Sequence, residues 1–227
     1  MNDYIKLLKD QDKLNISIDK TKTFNWEYTK IAGPCSVEGP DIIDIAKNIK
    51  SLGANAFRAG AYKPCTYPIL QEKNGWKEGL RDDFQNYTLL DALGKCNTPI
   101  LLKRGTWGTI DEILGACERI LVGGNDNIAI CLRGVVGMPS YRHVFPSTRW
   151  APDLMMIPAL KELTNIPIIY DPSHSTGYRN FVKPISRAAM AAGADGLIIE
   201  SHPRPEESIS DPDQAINYET LREIFNG

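Results

Sequence analysis

Residues 166–177 read Ile166-Pro167-Ile168-Ile169-Tyr170-Asp171-Pro172-Ser173-His174-Ser175-Thr176-Gly177. A β-branched apolar run that stops at a Pro/Ser/Gly turn describes a buried strand delivering a loop. His174, one of three histidines in the chain, therefore stands just past the C-terminal end of a strand. In α/β folds that end is where chemistry is placed.

The same unit recurs outward in both directions. Strands are predicted over 28–32, 55–61, 99–103, 128–132, 166–170 and 196–200. Helices are predicted over 40–52, 83–95, 109–121, 153–163, 183–192 and 218–225. In the first helix Ile42, Ile43, Ile45, Ala46 and Ile49 share one face, and Gly53 ends it. Short apolar strands alternating with helices describe an α/β fold with a parallel sheet covered by helices. Residues 1–28 read as an N-terminal extension and 29–227 as a single domain.

Composition sets modest bounds. The chain has 227 residues, 42% of them hydrophobic, which suffices for one sizeable core. A net charge of -2 describes no polyanion-binding surface, so no nucleic-acid partner is expected. No run of about 18 apolar residues exists and the polar start is no signal peptide, so a cytoplasmic protein without a membrane partner is expected. Five cysteines at irregular spacing form no disulfide framework. Cys96, Cys117 and Cys131 are expected in the core.

Nearly every strand ends in a charged or metal-competent residue. In order these are Cys35; Arg58 and Lys63; Lys103 and Arg104; Arg133; Asp171 and His174; Glu200 and His202. In a parallel barrel such ends converge on one face. Cys35, His174 and Glu200, with Asp211 to complete the set, make a candidate metal site that suits Fe(II), Zn, Co or Mn better than Mg or Ca. Arg58, Lys63, Lys103 and Arg133 make a candidate site for phosphate and carboxylate groups. Taken singly, Cys35 reads as a small buried thiol and each cation as a solvated surface charge. Their shared placement after buried strands favours the functional reading.

Together these strand ends resemble the 3-deoxy-D-arabino-heptulosonate 7-phosphate (DAHP) synthase family and its relative, 3-deoxy-D-manno-octulosonate 8-phosphate (KDO8P) synthase. The matching strings are Ala-Gly-Pro-Cys-Ser-Val-Glu (32–38), Arg-Ala-Gly-Ala-Tyr-Lys-Pro (58–64), Leu-Leu-Lys-Arg-Gly (101–105) and Leu-Arg-Gly (132–134). Asp-Pro-Ser-His-Ser-Thr-Gly (171–177), Glu-Ser-His-Pro (200–203) and Ser-Asp (210–211) follow in the same order. The resemblance implies a TIM-type (β/α) barrel and condensation of phosphoenolpyruvate with an aldose phosphate, releasing phosphate. It implies metal ligands at Cys35, His174, Glu200 and Asp211, and a divalent Mn, Fe(II), Co or Zn ion. It implies substrate contacts at Arg58, Lys63, Thr66, Lys103 and Arg133, and catalytic roles for Lys63, Lys103 and His174. Cysteine at 35 points to the metal-dependent form.

Three departures qualify the resemblance. The family's Lys-Pro-Arg-Thr reads Lys63-Pro64-Cys65-Thr66 here. The absent arginine grips the acceptor's phosphate, and its loss weakens a phosphorylated acceptor by about 1.5–3 kcal/mol. Leu132 stands where many members have Glu, as in one branch of the family. Two strand-helix units that precede Leu101-Leu102-Lys103 in the family are missing, leaving an incomplete barrel of about six units instead of eight. Its open edges call for a cover: residues 68–98, the N-terminal segment or a partner chain, with a homo-oligomer expected. Three functions follow: a phosphoenolpyruvate-dependent aldol-type synthase, a non-catalytic homologue that binds metal or anions as a regulatory module, or a metal-dependent lyase or hydrolase.

Overall fold

The computed structural model describes residues 25–60, 86–137 and 143–227. Its elements run β1 (Thr29–Gly33), α1 (Ile42–Ser51), β2 (Ala56–Phe57), α2 (Tyr87–Gly94), β3 (Ile100–Lys103), α3 (Ile110–Val122) and β4 (Ile128–Leu132). They continue with α4 (Met156–Leu163), β5 (Ile168–Tyr170), α5 (Pro172–Thr176), α6 (Arg179–Ala191), β6 (Gly196–Glu200) and α7 (Tyr218–Asn226). All six strands are parallel, in the order β2-β1-β6-β5-β4-β3.

That order is a barrel with one seam open. The first strand pairs with the last through Thr29–Gly33 against Gly196–Glu200, the contact that closes a (β/α) barrel. Among the described residues only β2 and β3 lack a second neighbour. The sheet is therefore an incomplete TIM-type barrel, curled and flanked by helices, and its break falls where the sequence lacks two units. Of the expected cover 68–98, the described part is 86–98, which carries α2. Helix α2 lies on α3, with Gly94 and Gly123 so close that a Cβ on Gly123 would come 2.6 Å from the Gly94 Cα.

Strand periodicity sorts the core into two layers. Ile128, Ile130 and Leu132 face outward into the main cluster with Ile113, Ile120, Ile157, Leu160 and Leu221. Ala129 and Cys131 alternate inward, joining Trp26, Ile31, Ile169 and Ile198 inside the curl. Every residue of β4, β5 and β6 is buried, so these strands read as near-continuous apolar runs. Small Ala129 and Cys131 suit a narrow interior.

Several boundaries moved for physical reasons. The predicted strand 55–61 is regular only at Ala56–Phe57, because an edge strand has one partner. Beyond it the Arg58 N–H donates to the Ala32 carbonyl (3.0 Å) and the Gly60 N–H to the Cys35 carbonyl (3.3 Å), so the chain stays beside β1 without a continuous ladder. The helix predicted over 183–192 begins earlier, at Arg179, and carries Pro184 inside. Residues 172–176, read as loop, form the helical turn α5 capped by Asp171. Cys96 is only half-buried, at the end of α2, whereas Cys117 and Cys131 are core. Among the described residues no helix is long and apolar enough to cross a membrane.

Candidate active site

The strand ends do converge. Cys35 follows β1, Arg58 follows β2, Lys103 ends β3, Arg133 follows β4, Asp171 follows β5 and Glu200 ends β6. Gly33 makes the first approach possible. Its φ is +154°, and a Cβ there would lie 1.9 Å from the Arg58 carbonyl oxygen. Only glycine lets β1 and β2 close at this level. One ligand atom each from Cys35, His174, Glu200 and Asp211 lies within 4.8 Å of the others.

Asp171 organises the His174 turn. Its carboxylate accepts the His174 backbone N–H (2.9 Å) as a helix cap and lies 2.7 Å from the imidazole Nδ1. The same carboxylate receives the Lys103 ammonium, which stands 3.4 Å from Nδ1. The other ring nitrogen, Nε2, is 3.1 Å from Glu200 Oε1. Burial alone would lower the His174 pKa, but Asp171 and Glu200 outweigh burial and the Lys103 charge, pushing it up to about 10. Burial likewise opposes ionisation of Asp171 and Glu200. His174 with Lys103 holds Asp171 well below the usual carboxylate range, and His174 with Arg58 does so for Glu200.

Glu200 is fully buried. Gln214 Nε2 donates to its Oε2. Its Oε1 stands 3.0 Å from Arg58 Nη2 and 3.1 Å from His174 Nε2, pairing with both charges. Asp211 sits at φ +53°, a left-handed conformation that Asp tolerates. It accepts from Arg149 Nη2 (2.7 Å), and the Cys35 Sγ lies 3.5 Å from its other oxygen.

Three predicted cations, Arg58, Lys103 and Arg133, border this cluster. Arg133 Nη2 reaches the His174 carbonyl at 3.5 Å, its guanidinium lies over Trp150, and its buried Nε has no hydrogen-bond partner. Lys63 and Thr66 lie outside the described residues. Two other strand-end groups turn away. Arg104, 6% exposed, is bound to Asp153 (2.6 Å) and the Gly108 carbonyl. His202 packs its Nδ1 against Arg204 backbone and its Nε2 3.5 Å from Glu38. Sequence reasoning did not single out Gln214 or Arg149, and no local motif flags either. Asp171 was noted only as a strand-end residue, although Asp-Pro before a short polar turn is a helix-start pattern.

With this geometry in place, comparison with known proteins is decisive. The model of the DAHP synthetase I family matches residues 82–226. The chain belongs to the DAHP synthetase I family. It is 36% identical over 246 aligned positions to the phospho-2-dehydro-3-deoxyheptonate aldolase of Thermotoga maritima, covering 92% of this chain and 71% of that protein. The 2-dehydro-3-deoxyphosphooctonate aldolase of Desulfotalea psychrophila is 29% identical, across 60% of this chain and 50% of its own length. The crystal structure of the Thermotoga aldolase superposes with a TM-score of 0.77 at 35% identity, covering 93% of this chain and 70% of that one. A truncated 3-deoxy-D-arabino-heptulosonate 7-phosphate synthase from the same organism gives 0.75 at 36% identity, covering 93% and 88%. Family membership places the chain among aldolase-type synthases.

Proposed function

We propose that the protein joins phosphoenolpyruvate to an aldose or aldose phosphate, giving a 3-deoxy-2-ulosonate and inorganic phosphate. The observation that carries this reading is the convergence of Cys35, His174, Glu200 and Asp211 within 4.8 Å, beside Arg58, Lys103 and Arg133 on one end of the sheet. The donor set of thiolate, imidazole and two carboxylates, with one ligand atom from each within 4.8 Å of the others, fits a divalent Mn, Fe(II), Co or Zn ion. When bound, such an ion supplies Lewis-acid polarisation of the acceptor's carbonyl oxygen.

The chain's own residues supply the rest. Arg133 and Arg58 offer guanidinium donors to the phosphate and carboxylate of phosphoenolpyruvate, and Lys103 adds an ammonium. C3 of phosphoenolpyruvate forms a bond to the aldehyde carbon, water adds at C2, and phosphate leaves from C2. Lys63, by its family position, and Lys103 are the groups that hold and move protons during these steps. Cys65 in place of arginine shifts the preference toward acceptors with weaker demand for a phosphate grip. Assembly of copies across the open β2 and β3 edges accords with the missing wall.

The test is incubation with phosphoenolpyruvate, Mn(II) and a panel of phosphorylated and free aldoses, measuring phosphate release. Release dependent on both metal and acceptor is expected. Mn(II) uptake with no release for any acceptor would instead support a non-catalytic metal- or anion-binding module, the reading that the open seam between β2 and β3 favours.

A further inference from the structure

We infer that Asp171 is a positioning residue serving two functional groups at once: it turns the His174 ring so that Nε2 faces the ligand cluster, and it tethers Lys103 against the same ring. The inference deepens the proposed reading and rests on its metal site. Asp171 is fully buried at the end of β5. Its carboxylate meets three donors: the His174 backbone N–H, His174 Nδ1 at 2.7 Å and the Lys103 ammonium.

A carboxylate only accepts, so the ring must carry hydrogen on Nδ1 toward Asp171, and a cation can be taken only at Nε2, which gives up its own hydrogen as the cation binds. Nε2 indeed lies on the Glu200 side, 3.1 Å from Oε1. The second task is electrostatic. The Lys103 Nζ is 3.4 Å from His174 Nδ1, so an ammonium stands one imidazole away from a site for a divalent cation. Like charges that close repel, and because the Lys103 side chain is 35% exposed, solvent screens part of that repulsion. The Asp171 charge, in contact with Lys103, cancels that repulsion. One carboxylate thus lets an anion-binding lysine and a cation site share the end of the barrel.

The opposing electrostatics give a test that a merely structural role would not pass. Mn(II) affinity is measured by competition with a chelator on the folded, full-length protein, for wild type, Asp171→Asn, Lys103→Gln and the double variant. Asn keeps the side-chain oxygen that caps α5. Asp171→Asn is expected to weaken Mn(II) by about 10–100-fold. Removing the ammonium, no longer neutralised, in the double variant is expected to restore about threefold or more of that loss. Wild-type affinity in Asp171→Asn, or a double variant no tighter than Asp171→Asn, overturns the inference. Nitrogen-15 NMR of the Zn(II)-loaded wild type needs no variant and covers the case of a poorly folded one: Nδ1 protonated and Nε2 metal-bound is expected, and Nδ1 metal-bound overturns it. Failure of the wild type to take up either metal removes the metal reading and the inference together, whereas uptake without phosphate release removes only the proposed reaction.

Discussion

Replacing Gly33 by alanine tests the close approach on which the site depends. The new Cβ would lie 1.9 Å from the Arg58 carbonyl oxygen and 3.0 Å from a ring carbon of Phe57. No real Cβ tolerates the first contact, so β2 must move away from β1. The backbone at φ +154° costs about 1–3 kcal/mol for a non-glycine residue. Overpacking against a backbone that cannot rotate aside adds about 1–3 kcal/mol. The sum, about 2–6 kcal/mol, is a large part of the 5–15 kcal/mol by which a domain is typically stable. It corresponds to a fall in Tm of about 4–24 °C for a chain of this size.

Gly193→Ala is the matched control. Gly193 has φ +98°, and a Cβ there meets nothing within 4 Å, so it carries backbone strain without the clash. Thermal unfolding followed by circular dichroism, with Mn(II) affinity measured in parallel, separates the two effects. Gly33→Ala should unfold below Gly193→Ala by the overpacking share, about 1–3 kcal/mol. It should also lose metal affinity, because Cys35 lies two residues on and Arg58 bears the displaced carbonyl. Equal Tm values for the two variants, or wild-type Mn(II) affinity in Gly33→Ala, would refute the claim that β1 and β2 touch here.

Cys35→Ala should keep the fold but abolish thiolate-to-cobalt charge-transfer absorption on Co(II) addition; an unchanged spectrum would remove Cys35 from the ligand set. Burial pushes the thiols of Cys117 and Cys131 up to about 12, so alkylation of the native protein at pH 8, mapped by peptide mass, should leave both unmodified. The same shift has a stability sign. In the unfolded chain these thiols ionise near pH 9, so the folded state holds more protons above that pH. Their contribution is complete below about pH 9 and is lost as pH rises toward about 12. Urea midpoints should therefore fall across that window, and less so in Cys117→Ala. Thr109 and Glu112 form a capping box at the start of α3, so Thr109→Ala should cost about 1 kcal/mol. That loss should appear as a Tm drop of about 2–4 °C.

Much of this was legible in the chain because hydrophobic periodicity and strand-end chemistry are local. Strands β4 and β6 lie at the predicted residues, since each is a β-branched run buried on both faces. The seam, too, could be read, because a missing pair of units leaves a gap in residue count. The sequence by itself thus determined the α/β class, the incomplete barrel and the roster of strand-end groups. Tertiary structure alone decided which of those groups meet. Arg104 and Lys103 are neighbours in sequence, yet one is committed to Asp153 and the other to Asp171. Gln214 and Arg149 enter the site from loops with no local signature, because their partners, Glu200 and Asp211, stand 14 and 62 residues away. Side-chain pairing depends on which strand ends the curl brings side by side, and the pattern of a single strand carries no record of its neighbours.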